Sequence, residues 1–149
     1  MPIPIIKFKK LSPQAIIPSY AHPGDAGADL VAMDAHTLEP LQRLAIPTGL
    51  AVELPQGYEL QVRPKSSLAL KHGITVLNTP GTVDAGYRGE IKVILINLGQ
   101  STFEINPGQR IAQIVIAPVI QAEFMLVDSL GASQRGEGGF GSTGKTYAQ

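Results

Sequence analysis

The sequence predicts an all-β domain, and three features predict it. Glycine and proline, 16 and 12 residues respectively, interrupt the chain at short intervals. The apolar stretches between them are brief and rich in Val and Ile, whose branched Cβ suits a pleated strand better than a helix. Helical periodicity is weak throughout. A sandwich, jelly roll or barrel is the class this pattern selects. At 149 residues the chain has the size of one domain, enough to bury roughly two-thirds of its unfolded surface around a single core.

Taken in order, the N-terminal stretch Met1–Lys10 mixes Pro2 and Pro4 with Lys7, Lys9 and Lys10, so it lacks the apolar region and cleavage site of a signal peptide. Gly24–Leu30 carries Asp25 and Asp29 in a glycine-rich setting; two carboxylates are too few for a calcium loop, and turn formation is the plain alternative to a ligand role. Tyr58–Arg63 alternates apolar and polar side chains, predicting a strand with one wet face, as does Thr102–Asn106. Ser66–Lys71 is the one stretch suited to a turn or two of helix. Ile91–Ile96 and Ile111–Ala117 are more continuously apolar and predict strands buried on both faces. Residues 1–130 then form one domain, while Gly131–Gln149, with its glycines and scattered Ser, Thr and Gln, reads as a mobile arm.

Charge and composition exclude several classes. Twelve basic and twelve acidic residues cancel, leaving no global field to gather nucleic acid or an anionic membrane. No apolar run approaches the ~20 residues a membrane helix needs. The absence of cysteine excludes disulfides and thiolate metal sites and suits a reducing compartment, so a cytoplasmic location is expected. His22, His36 and His72 are scattered without metal-ligand spacing.

Three segments could carry chemistry. Gly139–Thr146 satisfies the P-loop pattern, but that motif works by leading a buried strand into a helix N-terminus, and only Tyr147, Ala148 and Gln149 follow. What survives is a flexible segment able to wrap an anion, with a disordered tail as the alternative. Arg63-Pro-Lys-Ser-Ser-Leu-Ala69 gathers two cations and two hydroxyls on a turn, chemistry suited to a phosphate chain or to a merely solvated surface. Asn78–Gly89 places an amide, a carboxylate, a phenol and a guanidinium on a tight loop between apolar strands, where a hairpin would form either a pocket or a structural turn with a capping Asp.

Together and in order, these segments resemble the five motifs of the trimeric dUTPase family, from Asp25 to Thr143. The motifs are Asp25–Leu30, Arg63–Ala69, Gly81–Gly89, Gly108–Gln113 and Arg135–Thr143. The resemblance implies a distorted jelly-roll (β-clip) subunit, a homotrimer with active sites at subunit boundaries, and a glycine-rich C-terminal arm that closes over nucleotide bound at a neighbour. It implies a nucleoside triphosphate pyrophosphohydrolase that cuts dUTP to dUMP and pyrophosphate, limiting uracil in DNA and supplying dUMP for thymidylate synthesis.

Residue by residue, the resemblance assigns Asp84 to orient the water that attacks the α-phosphorus. Tyr87 would pack under the deoxyribose and exclude UTP. Asn78 and the backbone around it would read uracil, a tight hairpin rejecting thymine's methyl group. Lys65, Ser66, Ser67 and Gln113 would contact the phosphates, with Arg135, Ser142 and Thr143 closing on the γ-phosphate and Phe140 stacking over the base. Gly81, Val83, Lys92 and Gly141 complete the implied substrate-binding set. Magnesium would sit mainly on the phosphates, reached by Asp29 through water.

Two residues depart from the family pattern. Lys65-Ser66-Ser67 stands where the family usually reads Arg-Ser-Gly, so a point charge replaces a two-pronged one and a side chain stands where glycine lets backbone approach phosphate. The Ser-Ser-Leu-Ala run is also similar to the related dCTP deaminases, which need a glutamate ten positions after the third-motif aspartate; Ile94 stands there. A trimeric nucleotide-binding protein without turnover is the rival from another class.

Overall fold

Side chains that alternate along the sequence alternate between core and surface in the computed structural model, which describes residues 2–147. Among these residues ten strands and one short helix form: β1 (Lys7–Lys10), β2 (Ala28–Val31), β3 (His36–Leu38), β4 (Arg43–Glu53), β5 (Tyr58–Arg63), α1 (Ser66–His72), β6 (Ile74–Val76), β7 (Gly81–Val83), β8 (Glu90–Asn97), β9 (Phe103–Ile105) and β10 (Arg110–Pro118). The protein is all-β. One four-stranded sheet runs β1-β4-β8-β6 and a second β2-β10-β5-β7, with β3 and β9 as a separate pair; all pairings are antiparallel.

The core is one cluster fed by every layer. Leu30, Leu38, Ile46, Leu60, Val93, Leu95, Ile105 and Ile111 are fully buried in it, each contributing about 1.5–3 kcal/mol of burial. Asn97, also fully buried, stitches the edges, its Nδ2 donating to Leu38 O at 2.9 Å and Ser101 O at 2.8 Å.

Two sequence expectations are corrected. β8 is not buried on both faces: Ile91, Val93 and Leu95 are buried while Ile94 and Ile96 are half-buried and Lys92 is exposed. In β10 Val115, Ile116 and Ala117 are likewise half-buried. The single chain has only one core to cover these strands, so their second apolar face is left partly open. The other correction concerns Asn78–Gly89, which is not a hairpin. β7 pairs with β5 and β8 with β4 and β6, so residues 84–89 form a corner that carries the chain from one sheet to the other.

The corner is fixed at its base by an irregularity in β4. The register against β8 shifts between Pro47 and Ala51, where Thr48 Oγ1 donates to Ile91 O at 2.6 Å and Gly49 N–H donates to Glu90 Oε2 at 2.9 Å. α1, placed as the sequence predicts, ends on Gly73 in the left-handed region (φ 68°), whose N–H caps the carbonyls of Ala69 and Leu68. The β10 ladder ends at Pro118, and Val119 N–H donates to Gly57 O at 2.9 Å. Beyond it no strand forms among the described residues, and nearly every side chain is exposed.

Candidate active site

The third motif builds a pocket of about 460 Å³, lined by Val83, Asp84, Tyr87, Lys92 and Ile94, with Ala45, Thr82, Glu90 and Ile91. Asp84 follows β7 directly and is exposed at the rim, where it also borders a second cleft beside Tyr58, Gly86 and Gln121. Among the described residues no cation pairs with its carboxylate, whereas its backbone carbonyl accepts Tyr87 N–H at 3.1 Å and closes the turn. The Tyr87 hydroxyl donates to Glu90 O at 2.9 Å. Its ring lies against Gly89, where an added Cβ would stand 2.4 Å from the phenolic oxygen, yet 46% of Tyr87 stays exposed. An aromatic surface is thus held rigid and left open. Asn78, exposed before β7, sets its amide beside Gly81, whose missing side chain makes the room: a Cβ would meet Asn78 Nδ2 at 3.3 Å.

The first, second and fourth motifs meet at the other end of the β2-β10-β5-β7 sheet. Gln113 lies opposite Asp29 on one side and Arg63 on the other, so the register aligns three segments far apart in sequence. Asp29 Oδ1 accepts Lys65 Nζ in a half-buried ion pair, and Arg110 Nε stands 3.4 Å from Asp29 Oδ2. Gln113 Nε2 donates to Pro64 O at 2.9 Å, and its Oε1 packs so close to Gly27 that a Cβ there would stand 2.0 Å away. Ser66 and Ser67 open α1 and are exposed, beside a Lys65 that makes no capping bond.

These two clusters do not meet within the chain. Along β5, Asp84 follows the Leu60↔Val83 pair and Gln113 faces Arg63. At about 3.3 Å per residue the pairing rows stand about 10 Å or more apart, with Lys65 farther on beyond Arg63. The fifth motif joins neither. Arg135 Nε donates to Gly138 O at 2.7 Å, a local bond, while Phe140, Gly141, Ser142 and Thr143 are exposed. The P-loop-like run Gly139–Thr146 has no strand before it and no helix within it among the described residues.

Several residues of these clusters were not singled out from the sequence. Arg110 lies inside the fourth motif, but its partner is an acid on another strand. Glu90 lines the pocket and braces it through Gly49, a contact visible only once β4 and β8 are in register. Asp25 takes the plain reading, accepting His22 N–H at 2.9 Å to form a turn. His72 packs against Phe103 with ring centroids 5.0 Å apart and the ring planes tilted by 49°. No group of three His, Cys, Asp or Glu gathers among the described residues, and no helix there is long and apolar enough to cross a membrane.

Comparison with known proteins bears on the same segments. The sequence profile described as dUTPase matches residues 13–144. A deoxyuridine 5'-triphosphate nucleotidohydrolase of Wolinella succinogenes is 58% identical over 141 residues, covering 95% of each chain. One of Treponema denticola is 61% identical over 139 residues, covering 92% of this chain and 96% of the relative. Among solved structures, a mutant Staphylococcus bacteriophage 80alpha dUTPase with dUpNHpp superposes with a TM-score of 0.88 at 28% identity, covering 95% of this chain and 99% of that one. A mutant dUTPase of S. aureus phage phi11, described with a structural Mg(II) ion, gives 0.78 at 26% identity, with 84% and 97% covered. With its motifs laid out on two ends of one sheet and a profile match spanning nearly the whole chain, this protein belongs to the dUTPase family.

Proposed function

We propose that the chain hydrolyses dUTP to dUMP and pyrophosphate at sites assembled between protomers of a homotrimer. The observation that carries this reading is the pocket in which Asp84, Tyr87 and Lys92 meet: a water-facing carboxylate, an aromatic platform and a cation. The subunit is a distorted jelly roll, and residues 131–149 act as an arm that closes over nucleotide at a neighbouring site. The family pattern implies the shared site: the corner of one protomer would supply the nucleoside pocket and the phosphate-binding row would come from another. Exposed apolar side chains at Ile3, Ile5, Ile120, Phe124, Leu126 and Leu130 support burial between subunits.

In the mechanism, Asp84 accepts a hydrogen bond from a water and aims it at the α-phosphorus in line with the bridging oxygen. The new P–O bond forms as the bond from the α-phosphorus to that oxygen breaks, pyrophosphate leaves and the water's proton passes to Asp84 or solvent. Orientation is the larger effect, since an exposed carboxylate is a weak base. Tyr87 supports the deoxyribose and leaves no room for a 2′-hydroxyl. Asn78 and the backbone of Gly81 and Val83 read the uracil edge, and the narrow corner rejects thymine's methyl group. Lys65, Ser66, Ser67 and Gln113 hold the phosphates, Arg135, Ser142 and Thr143 close on the γ-phosphate and Phe140 covers the base; Lys92 and Gly141 complete the substrate-binding set.

The donor set fits magnesium as an ion carried mainly by the substrate. A single carboxylate, Asp29, stands beside the phosphate row and already shares its oxygens with Lys65 and Arg110, so it would reach the ion only through water. When bound, Mg2+ neutralises charge that develops on the departing pyrophosphate. In the cell the reaction would limit uracil in DNA and supply dUMP for thymidylate synthesis, in the cytoplasm.

Ile94 argues against deamination, because it lines this pocket where the deaminases need a proton-moving glutamate. The test is product analysis with dUTP, UTP and dCTP in the presence of magnesium. Pyrophosphate and dUMP from dUTP alone are expected. Ammonia from dCTP, or saturable dUTP binding without turnover, overturns the reading.

A further inference from the structure

The corner that carries Asp84 and Tyr87 has few ladder bonds of its own, since β7 is three residues long and leaves its sheet at Val83. Besides the Tyr87 N–H bond to Asp84 O and the Tyr87 hydroxyl bond to Glu90 O, a guanidinium holds it. Arg88 Nη1 donates to Ala85 O at 2.7 Å and to Tyr87 O at 3.2 Å, gripping the corner's backbone from outside. The other arm of the fork, Nη2, stands 3.5 Å from Glu53 Oε1 at the end of β4. Glu53 Oε2 in turn takes Lys7 Nζ of β1 at 2.9 Å.

We propose that Glu53 is a positioning residue for sugar selection: it tethers Arg88 to the β1-β4 edge and so fixes the corner on which the Tyr87 ring lies. The inference rests on the reading of Tyr87 as the platform under the deoxyribose. Glu53 does not itself reach the nucleoside, for it lines a different groove with Lys7, Phe8, Val52 and Arg88. Its effect must pass through Arg88. A guanidinium is planar and rigid, so the direction of one arm sets the direction of the other, and a tether at Nη2 orients the bonds made by Nη1. The charged groups in the groove with Glu53 are Lys7, Arg88 and Lys9, of which Lys7 and Arg88 pair with it. Lys7, by hydrogen bond and charge, and then Arg88 hold its carboxyl below the ordinary carboxylate range, so the tether is charged at neutral pH and is lost as pH falls through that lowered value. An exposed ion pair adds little stability; what it changes here is placement, and selection between two sugars that differ by one oxygen is sensitive to small displacements.

The experiment compares kcat/KM for dUTP and for UTP, with magnesium. The two substrates share their phosphates and base, so their ratio isolates the sugar contact. Glu53→Gln is expected to lower the dUTP:UTP ratio about threefold, and added salt should narrow its difference from the unsubstituted protein. Lys7→Gln, which removes the partner that does not touch the corner, should leave the ratio unchanged. An unchanged ratio in Glu53→Gln, or an equal loss in Lys7→Gln, overturns the tether. Tyr87→Ala separates the two claims. If it collapses the ratio while Glu53→Gln does not, the tether alone is wrong; if it too leaves the ratio unchanged, the platform reading fails and the tether with it.

Discussion

The corner at Asp84 and the charge cluster at Asp29 sit at two ends of one sheet and are built by opposite means. The corner is a single run of chain, shaped by backbone bonds, an aromatic ring and apolar walls, with Asp84 facing water. The cluster draws on three distant segments and is organised by charge, with Asp29 between Lys65 and Arg110 and both Asp29 and Lys65 half-buried. The difference follows from what each end would bind. A nucleoside is told from its near relatives by shape and by polar groups left unpaired when the wrong one enters. A phosphate chain needs cations held at fixed points and little else. The residues of the corner lie close together in sequence, whereas the charge array needs the fold to bring its members together.

The sharpest way to break this contrast is Asp84→Asn, expected to lower kcat by about 10²-fold or more while KM for dUTP changes little, because the pocket keeps its form but loses the acceptor that aims the water. Rapid pyrophosphate release by this variant contradicts the role given to the corner. Next in size is removal of the chain after Ser133, which should cost on the order of 10-fold or more in kcat/KM with an unchanged melting temperature, since among the described residues the arm makes only local bonds. At the cluster, Lys65→Ala should raise KM about tenfold and leave the dUTP:UTP ratio as it was. A change in sugar preference there erases the division of labour. The mildest probe is Gly27→Ala. The added Cβ collides with the end of the flexible Gln113 side chain rather than with backbone, so the protein should fold while KM rises about threefold through displacement of Gln113 from Pro64 O. Steady-state kinetics with a melting curve checks it.

How legible each region was in the sequence follows the same division. Tyr58–Arg63 and Ser66–Lys71 announce β5 and α1 through period and turn chemistry alone, and both form within a residue of the expected bounds. The run Asn78–Gly89 shows its chemistry but not its shape. A tight loop between apolar segments implies a hairpin, and nothing local reveals that β7 pairs with β5 instead, because strand partnering is decided by the whole core. Continuous apolar runs overstate burial in the same way: the outer faces of β8 and β10 are apolar in sequence yet half-open in one protomer. Arg110 and Glu90 were invisible for a simpler reason, since each acquires its meaning from a residue on another strand.

The division of the site between protomers can be measured directly by mixing. Asp84→Asn protein and a Lys65→Ala/Gln113→Ala protein, each nearly inactive at low dUTP, are unfolded together in equal amounts and refolded. If corner and cluster come from different protomers, each mixed trimer holds one site that unites two intact halves, about a quarter of all sites in the refolded mixture, and activity should rise to about that fraction of the unsubstituted enzyme's. A mixture no more active than the average of its two parents contradicts a site shared between subunits.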